Sequence, residues 1–71
     1  MQFPYVLYQD QNIVIHIKAL GASHDAQPLK FMYQVQRLRP TSAMHSRIYE
    51  TISECICEAF IHLANMLYGT G

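Results

Sequence analysis

The chain of 71 residues has no tryptophan, three glycines, three prolines and two cysteines, and only 14% of its residues are charged. Each scarcity removes a class of protein. With so few glycines there is no phosphate-cradling loop, and neither Gly-x-Gly-x-x-Gly nor Gly-x-Ser-x-Gly occurs. The cysteines, Cys55 and Cys57, stand two apart in a helical pattern and so point about 200° away from each other, which excludes an intrachain disulfide. No apolar run reaches the roughly 18 residues of a membrane-spanning helix, so no membrane partner is expected. The opening Met1-Gln2-Phe3-Pro4-Tyr5 lacks the basic start and small-residue cleavage site of a secretion signal. A reducing, cytoplasmic setting with two free, buried cysteines follows as the expectation. Five basic residues against five acidic ones suit neither a strongly basic nucleic-acid binder nor a highly charged disordered chain.

What remains is apolar content, 51% of the chain. At 8.2 kDa the whole of 1–71 makes one domain, and such a chain buries only about 60% of its unfolded surface. That is marginal for a monomer. With disulfides excluded, oligomerisation is the expected source of further burial.

Alternation predicts three strands. Tyr5–Tyr8 is short and aromatic. In 13–19, Ile13, Ile15, Ile17 and Ala19 share one face and Val14, His16 and Lys18 the other. In 29–37, Leu29, Phe31, Tyr33 and Val35 oppose Lys30, Met32, Gln34 and Gln36. A tight turn at 10–12 and a longer loop at 21–28 suit an antiparallel meander. Pro40, with Thr41 or Ser42 as N-cap, then opens one long helix that Gly69 ends. Met44, Ile48, Tyr49, Ile52, Cys55, Ile56, Ala59, Phe60, Leu63, Met66 and Leu67 fall within one arc of about 160°. The expected fold is therefore α+β: a three-stranded antiparallel sheet in the order β-β-β-α, with the long C-terminal helix packed on one face.

That arc leaves a second stripe, Cys57, Ile61, Ala64 and Tyr68, spaced by four, three and four residues. A surface helix needs only one apolar face. Either Met1-Gln2-Phe3 or the loop 21–28 covers the stripe, or it is a subunit interface between two-fold-related helices. The interface is the favoured reading. Ile61→Glu should then separate the subunits, whereas Phe60→Glu, inside the arc, should unfold the chain. A lipid-facing use fits poorly with the glutamates of the polar side.

Charge is segregated. Residues 1–49 hold five basic and two acidic groups, a net +3, while 50–71 hold Glu50, Glu54 and Glu58 and no base, a net −3. His16, Lys18, Lys30, Gln34 and Gln36 should share the outer sheet face, with Arg37 and Arg39 at its end. Such side chains read base edges, although overall neutrality supplies little phosphate attraction. Nothing predicts catalysis or a cofactor. The histidines, at 16, 24, 45 and 62, have no His-x3-His or Cys-x2-Cys companion, so no metal site is expected. Glu58 and His62 form an ordinary helical pair, and a core Cys55 has a raised rather than an activated thiol pKa. Tyr33 and Tyr49 should be core, with their hydroxyls at the edge; Tyr5, Tyr8 and Tyr68 are freer to meet another chain. The expected function is that of a small homo-oligomeric interaction module, acting as regulator, inhibitor or adaptor on another protein. The alternative is a DNA- or RNA-binding regulator that uses the outer sheet face.

Overall fold

A computed structural model describes residues 2–21 and 29–69. The elements are β1 (Tyr5–Gln9), β2 (Ile13–Leu20), β3 (Lys30–Leu38), β4 (Thr41–His45) and α1 (Ile52–Tyr68). All neighbouring strands pair antiparallel, in the order β1-β2-β3-β4. The α+β class, the antiparallel sheet and the single C-terminal helix agree with the sequence reading. The strand count does not: the described residues form four strands, and the helix begins ten residues later than expected.

The reason lies at Pro40. Leu38 pairs with Thr41, so Arg39 and Pro40 form a two-residue hairpin turn instead of a helix entry. Thr41–His45 then returns along β3, and Met44 and Ile48 lie outside the helix altogether. Tyr49 is buried, but through an isolated bridge to Phe31 in which each backbone N–H donates to the other's carbonyl (2.9 and 2.7 Å). The helix is capped by Thr51, whose Oγ1 accepts from Glu54 N–H at 3.2 Å, and not by Thr41 or Ser42. Thr51-x-x-Glu54 has the spacing of a capping box. Gly69 ends the helix as expected, at φ 66° and ψ 23°, where a Cβ would be strained.

The core lies between α1 and the central strands. Ile13, Ile15 and Ile17 from β2 and Tyr33 and Val35 from β3 meet Cys55, Ala59 and Leu63 of α1, with Tyr49 at the margin. The β1–β2 turn is built on Asp10. Its carboxylate accepts from Asn12 N–H (2.6 Å), Ile13 N–H (2.9 Å) and the Tyr8 hydroxyl (2.6 Å). The Tyr8 bond first, and the two backbone donors after it, hold the Asp10 carboxyl below the usual carboxylate range. A bulge between Val6 and Tyr8 turns both Leu7 and Tyr8 towards the core.

Two outcomes test these local devices. Thr51→Ala should cost about 1 kcal/mol in urea denaturation, with Thr41→Ala and Ser42→Ala near neutral; the reverse ranking would restore the longer helix. Because the folded pKa of Asp10 lies below its unfolded value, its contribution is complete above the ordinary carboxylate range and is lost as pH falls through the folded value. Asp10→Ala should therefore lower stability at neutral pH and flatten the acid limb of the stability–pH curve. Identical acid limbs would exclude that role.

Candidate functional site

Only a narrow ridge of α1 is fully buried against the sheet. Cys55 and Ala59 are fully buried and Leu63 nearly so, one turn apart on the same line. Ile52, Ile56, His62 and Met66 flank this ridge, half-buried. On the far side Cys57, Phe60, Ile61, Ala64, Leu67 and Tyr68 are all exposed. The large ones expose 50% (Phe60), 50% (Ile61), 48% (Leu67) and 78% (Tyr68) of their area. These six follow the a, d and e positions of a heptad over the last three turns. Cys57, Ile61, Ala64 and Tyr68, the predicted stripe, thus stand together on the surface. Phe60 and Leu67 join them instead of the core, which corrects the wider arc, and Cys57 is exposed rather than buried. Residues about 80–100° from that line, Phe60 and Leu67 among them, point along the sheet rather than onto it and stay about half exposed.

Among the described residues the N-terminal segment does not cover this face. Phe3 packs on Phe31, with ring centroids 5.8 Å apart, and shares a shallow groove with Pro4, Lys18 and Ala19. Of the other suggested cover, the loop 21–28, all but Gly21 lies outside the described residues.

A second feature is a polar groove of about 570 Å³ beside α1, lined by Tyr33, Arg37, Glu58, Ile61, His62, Asn65, Met66 and Gly69. At its floor the Tyr33 hydroxyl lies 3.0 Å from His62 Nδ1, and the two rings meet edge to face. This bond gives the buried hydroxyl of Tyr33 a partner, and none was foreseen from the sequence. Burial first, with the charges of Tyr49, Glu58 and Cys55 after it, pushes the Tyr33 hydroxyl above its ordinary range. A tyrosine held protonated in this way is a hydrogen-bonding strut. Tyr33 and Tyr49 are core as expected, stacked at 6.3 Å, and the Arg47 guanidinium lies 5.1 Å from the Tyr49 ring centre. Cys55 is likewise pushed up by burial, which removes it as a nucleophile. Among the described residues no three His, Cys, Asp or Glu side chains converge as a metal site.

The outer sheet face carries part of its predicted set. Val6, His16, Gln34 and His45 form one cross-strand row, so His45 belongs to the sheet and not to a first helical turn. Lys18, Lys30 and Gln36 share that side. Arg37 does not: it pairs with Ile13 and Ser42 on the helix side and lines the polar groove. Arg39 is in the β3–β4 turn. Lys30 has Glu50 at 3.6 Å, an exposed pair worth little in stability but one that offsets its charge. Two lysines, one of them offset, are a thin basis for phosphate neutralisation.

No protein-family model, no curated protein and no solved structure matches the chain.

The division of the helix has a direct test. Leu63→Ala should cost about 2–4 kcal/mol, whereas Phe60→Ala should cost under about 1 kcal/mol in a dilute monomer. Equal losses at both positions would put Phe60 back in the core.

Proposed function

We propose that the protein is a self-associating interaction module, with the outer faces of two α1 helices packed together, that serves as a regulator, inhibitor or adaptor rather than as a catalyst. The observation that carries this reading is the exposed heptad face: six apolar residues in line, four of them large and about half exposed or more. A helix with the same spacing is the partner that fits such a face, and a second copy has it.

The side chains favour an antiparallel pair. With the two-fold axis between Ile61 and Ala64, Cys57 meets the partner's Tyr68, and Ile61 meets the partner's Ala64. Small opposes large at both of these levels, as close packing requires, while Phe60 and Leu67 flank the seam at the levels of the partner's Asn65 and the partner's Glu58. A parallel pair would set Ala64 against the partner's Ala64 and leave a void. It would also bring Glu54 and Glu58 alongside their own copies, since all the acidic charge of the helix lies in its first two turns.

Sedimentation equilibrium from micromolar to millimolar concentration should show a mass above 8.2 kDa. Ile61→Glu and Phe60→Glu should lower that mass while the helical circular dichroism is retained. The Cys57 thiol should react slowly with a thiol reagent in the assembly and quickly on dilution or in Ile61→Glu. Mild oxidation should not cross-link Cys57 to its copy, because an antiparallel pair holds the two thiols about 16 Å apart along the axis. Fast Cys57 reaction at every concentration would overturn the helix pair.

A further inference from the structure

The sheet has two edges, and they are unequal. β1 is broken by the bulge at Leu7, a device that blunts an edge against further pairing, whereas β4 has none; a proline, Pro4 or Pro40, stands directly before each edge strand. β4, Thr-Ser-Ala-Met-His, contains no proline, no bulge and no lysine, arginine or acid. All five of its residues are exposed, and among the described residues no strand lies beyond it.

Its backbone hydrogen bonds can be assigned. Ser46 N–H donates to Tyr33 O at 2.9 Å, and Phe31 and Tyr49 exchange bonds, so the odd residues of β3 bond towards the β4 side. Leu38 N–H donates to Asn12 O at 2.8 Å, so the even residues bond towards β2. In an antiparallel ladder each residue directs its N–H and C=O the same way, and neighbours alternate. With Val35 opposite Met44 and Arg37 opposite Ser42, residues 42 and 44 bond to β3. The N–H and C=O of Thr41, Ala43 and His45 therefore point away from the sheet.

We propose that β4 is a second interface: it pairs antiparallel with β4 of another copy about a two-fold axis at Ala43, joining two four-stranded sheets into one of eight. The three outward residues are self-complementary in that register. Ala43 exchanges both bonds with the partner's Ala43, and Thr41 and His45 do so with the partner's His45 and Thr41, six backbone bonds in all. No side chain obstructs the axis, because the central residue is alanine. On the helix side the register sets the partner's Met44 beside Ser42. There it covers a pocket of about 210 Å³ that opens along β4 between Met44, Met66 and Val35. Met44 itself is 39% exposed in the isolated chain and gains cover from the same pairing. A second copy is the occupant this edge fits, since Thr41–His45 carries no lysine, arginine or acid and its outward bonds match their own copies, with Arg39 and the partner's Arg47 facing each other only beyond the strand ends. The inference is independent of the helix pair, which uses the opposite side of α1.

Amide hydrogen exchange at millimolar concentration tests it directly. Thr41, Ala43 and His45 should be protected at least tenfold relative to a dilute sample, in step with the assembly's mass. Exchange of these three amides at the rate of an open peptide, with Val35 protected, would overturn the pairing. Ala43→Pro removes an outward N–H that the monomer does not use, and Ala43→Lys sets two like charges at the axis while leaving the backbone intact. Each should reduce the mass of the assembly and leave slow Cys57 reaction intact. Ile61→Glu should do the converse, exposing Cys57 while Thr41 and His45 stay protected, and the double variant should be a monomer of 8.2 kDa. An assembly whose mass is unchanged by both Ala43 variants would overturn the inference without touching the helix pair.

Discussion

The contact of the Cys55–Ala59–Leu63 ridge with Ile15, Ile17, Tyr33 and Val35 is the one interaction on which the rest of this structure depends. Among the described residues it is where the two layers of the fold bury side chains most completely, with Ile56, His62 and Met66 packed beside it. Ile15, Ile17 and Cys55 are the largest fully buried side chains, so the core is thin and central. A thin core fixes the helix over β2 and β3 and leaves everything beyond that footprint uncovered.

Two consequences follow from that geometry. Phe60 and Leu67 lie within reach of an apolar face in a helical projection, yet a helix held this close to a twisted sheet buries only a narrow stripe of itself. The far side of α1 is then a surface of the same apolar character as the core side. β4, meanwhile, is paired to β3 but lies outside the helix's cover, and all its residues are exposed. The molecule has an uncovered helix face and an unblunted strand edge on different sides of one small core. For a chain this short, which buries little of its surface as a monomer, these are the two places where the proposed interfaces lie.

Electrostatics supports this arrangement more than it directs it. The acidic residues of α1 sit in its first two turns, Glu54 in line with Ile61 one heptad on and Glu58 beside Ile61, so they border the apolar stripe at its N-terminal end, and Lys30 is matched by Glu50 across the β3–helix junction. Arg37 faces the helix side beside Glu58, His62 and Asn65, so the positive charge of the sheet is divided between its two faces. No face collects enough of either sign to act as a steering surface.

The alternation of Ile13, Ile15 and Ile17, and of Phe31, Tyr33 and Val35, determined two strands and their buried face from sequence alone, because a period of two has one structural meaning in a half-buried sheet. Gly69 likewise determined the helix end, and the spacing of Cys57, Ile61, Ala64 and Tyr68 was legible as a surplus before any coordinates. The start of the helix was not legible in the same way. Met44, Ile48 and Tyr49 happen to continue the helical spacing, and Pro40-Thr41-Ser42 reads equally as a helix entry or as a hairpin turn followed by a strand. Thr51-x-x-Glu54 was the local signal for the true entry. Pairing with β3 decided between the two, since Thr41–His45 gains a ladder of backbone bonds as a strand that no local pattern records. The side taken by Phe60 was also a tertiary decision, since it depends on how wide a stripe of the helix the sheet covers. Arg37, by contrast, was legible in the sequence: strict alternation carried along β3 one residue past Gln36 turns it to the face of Val35.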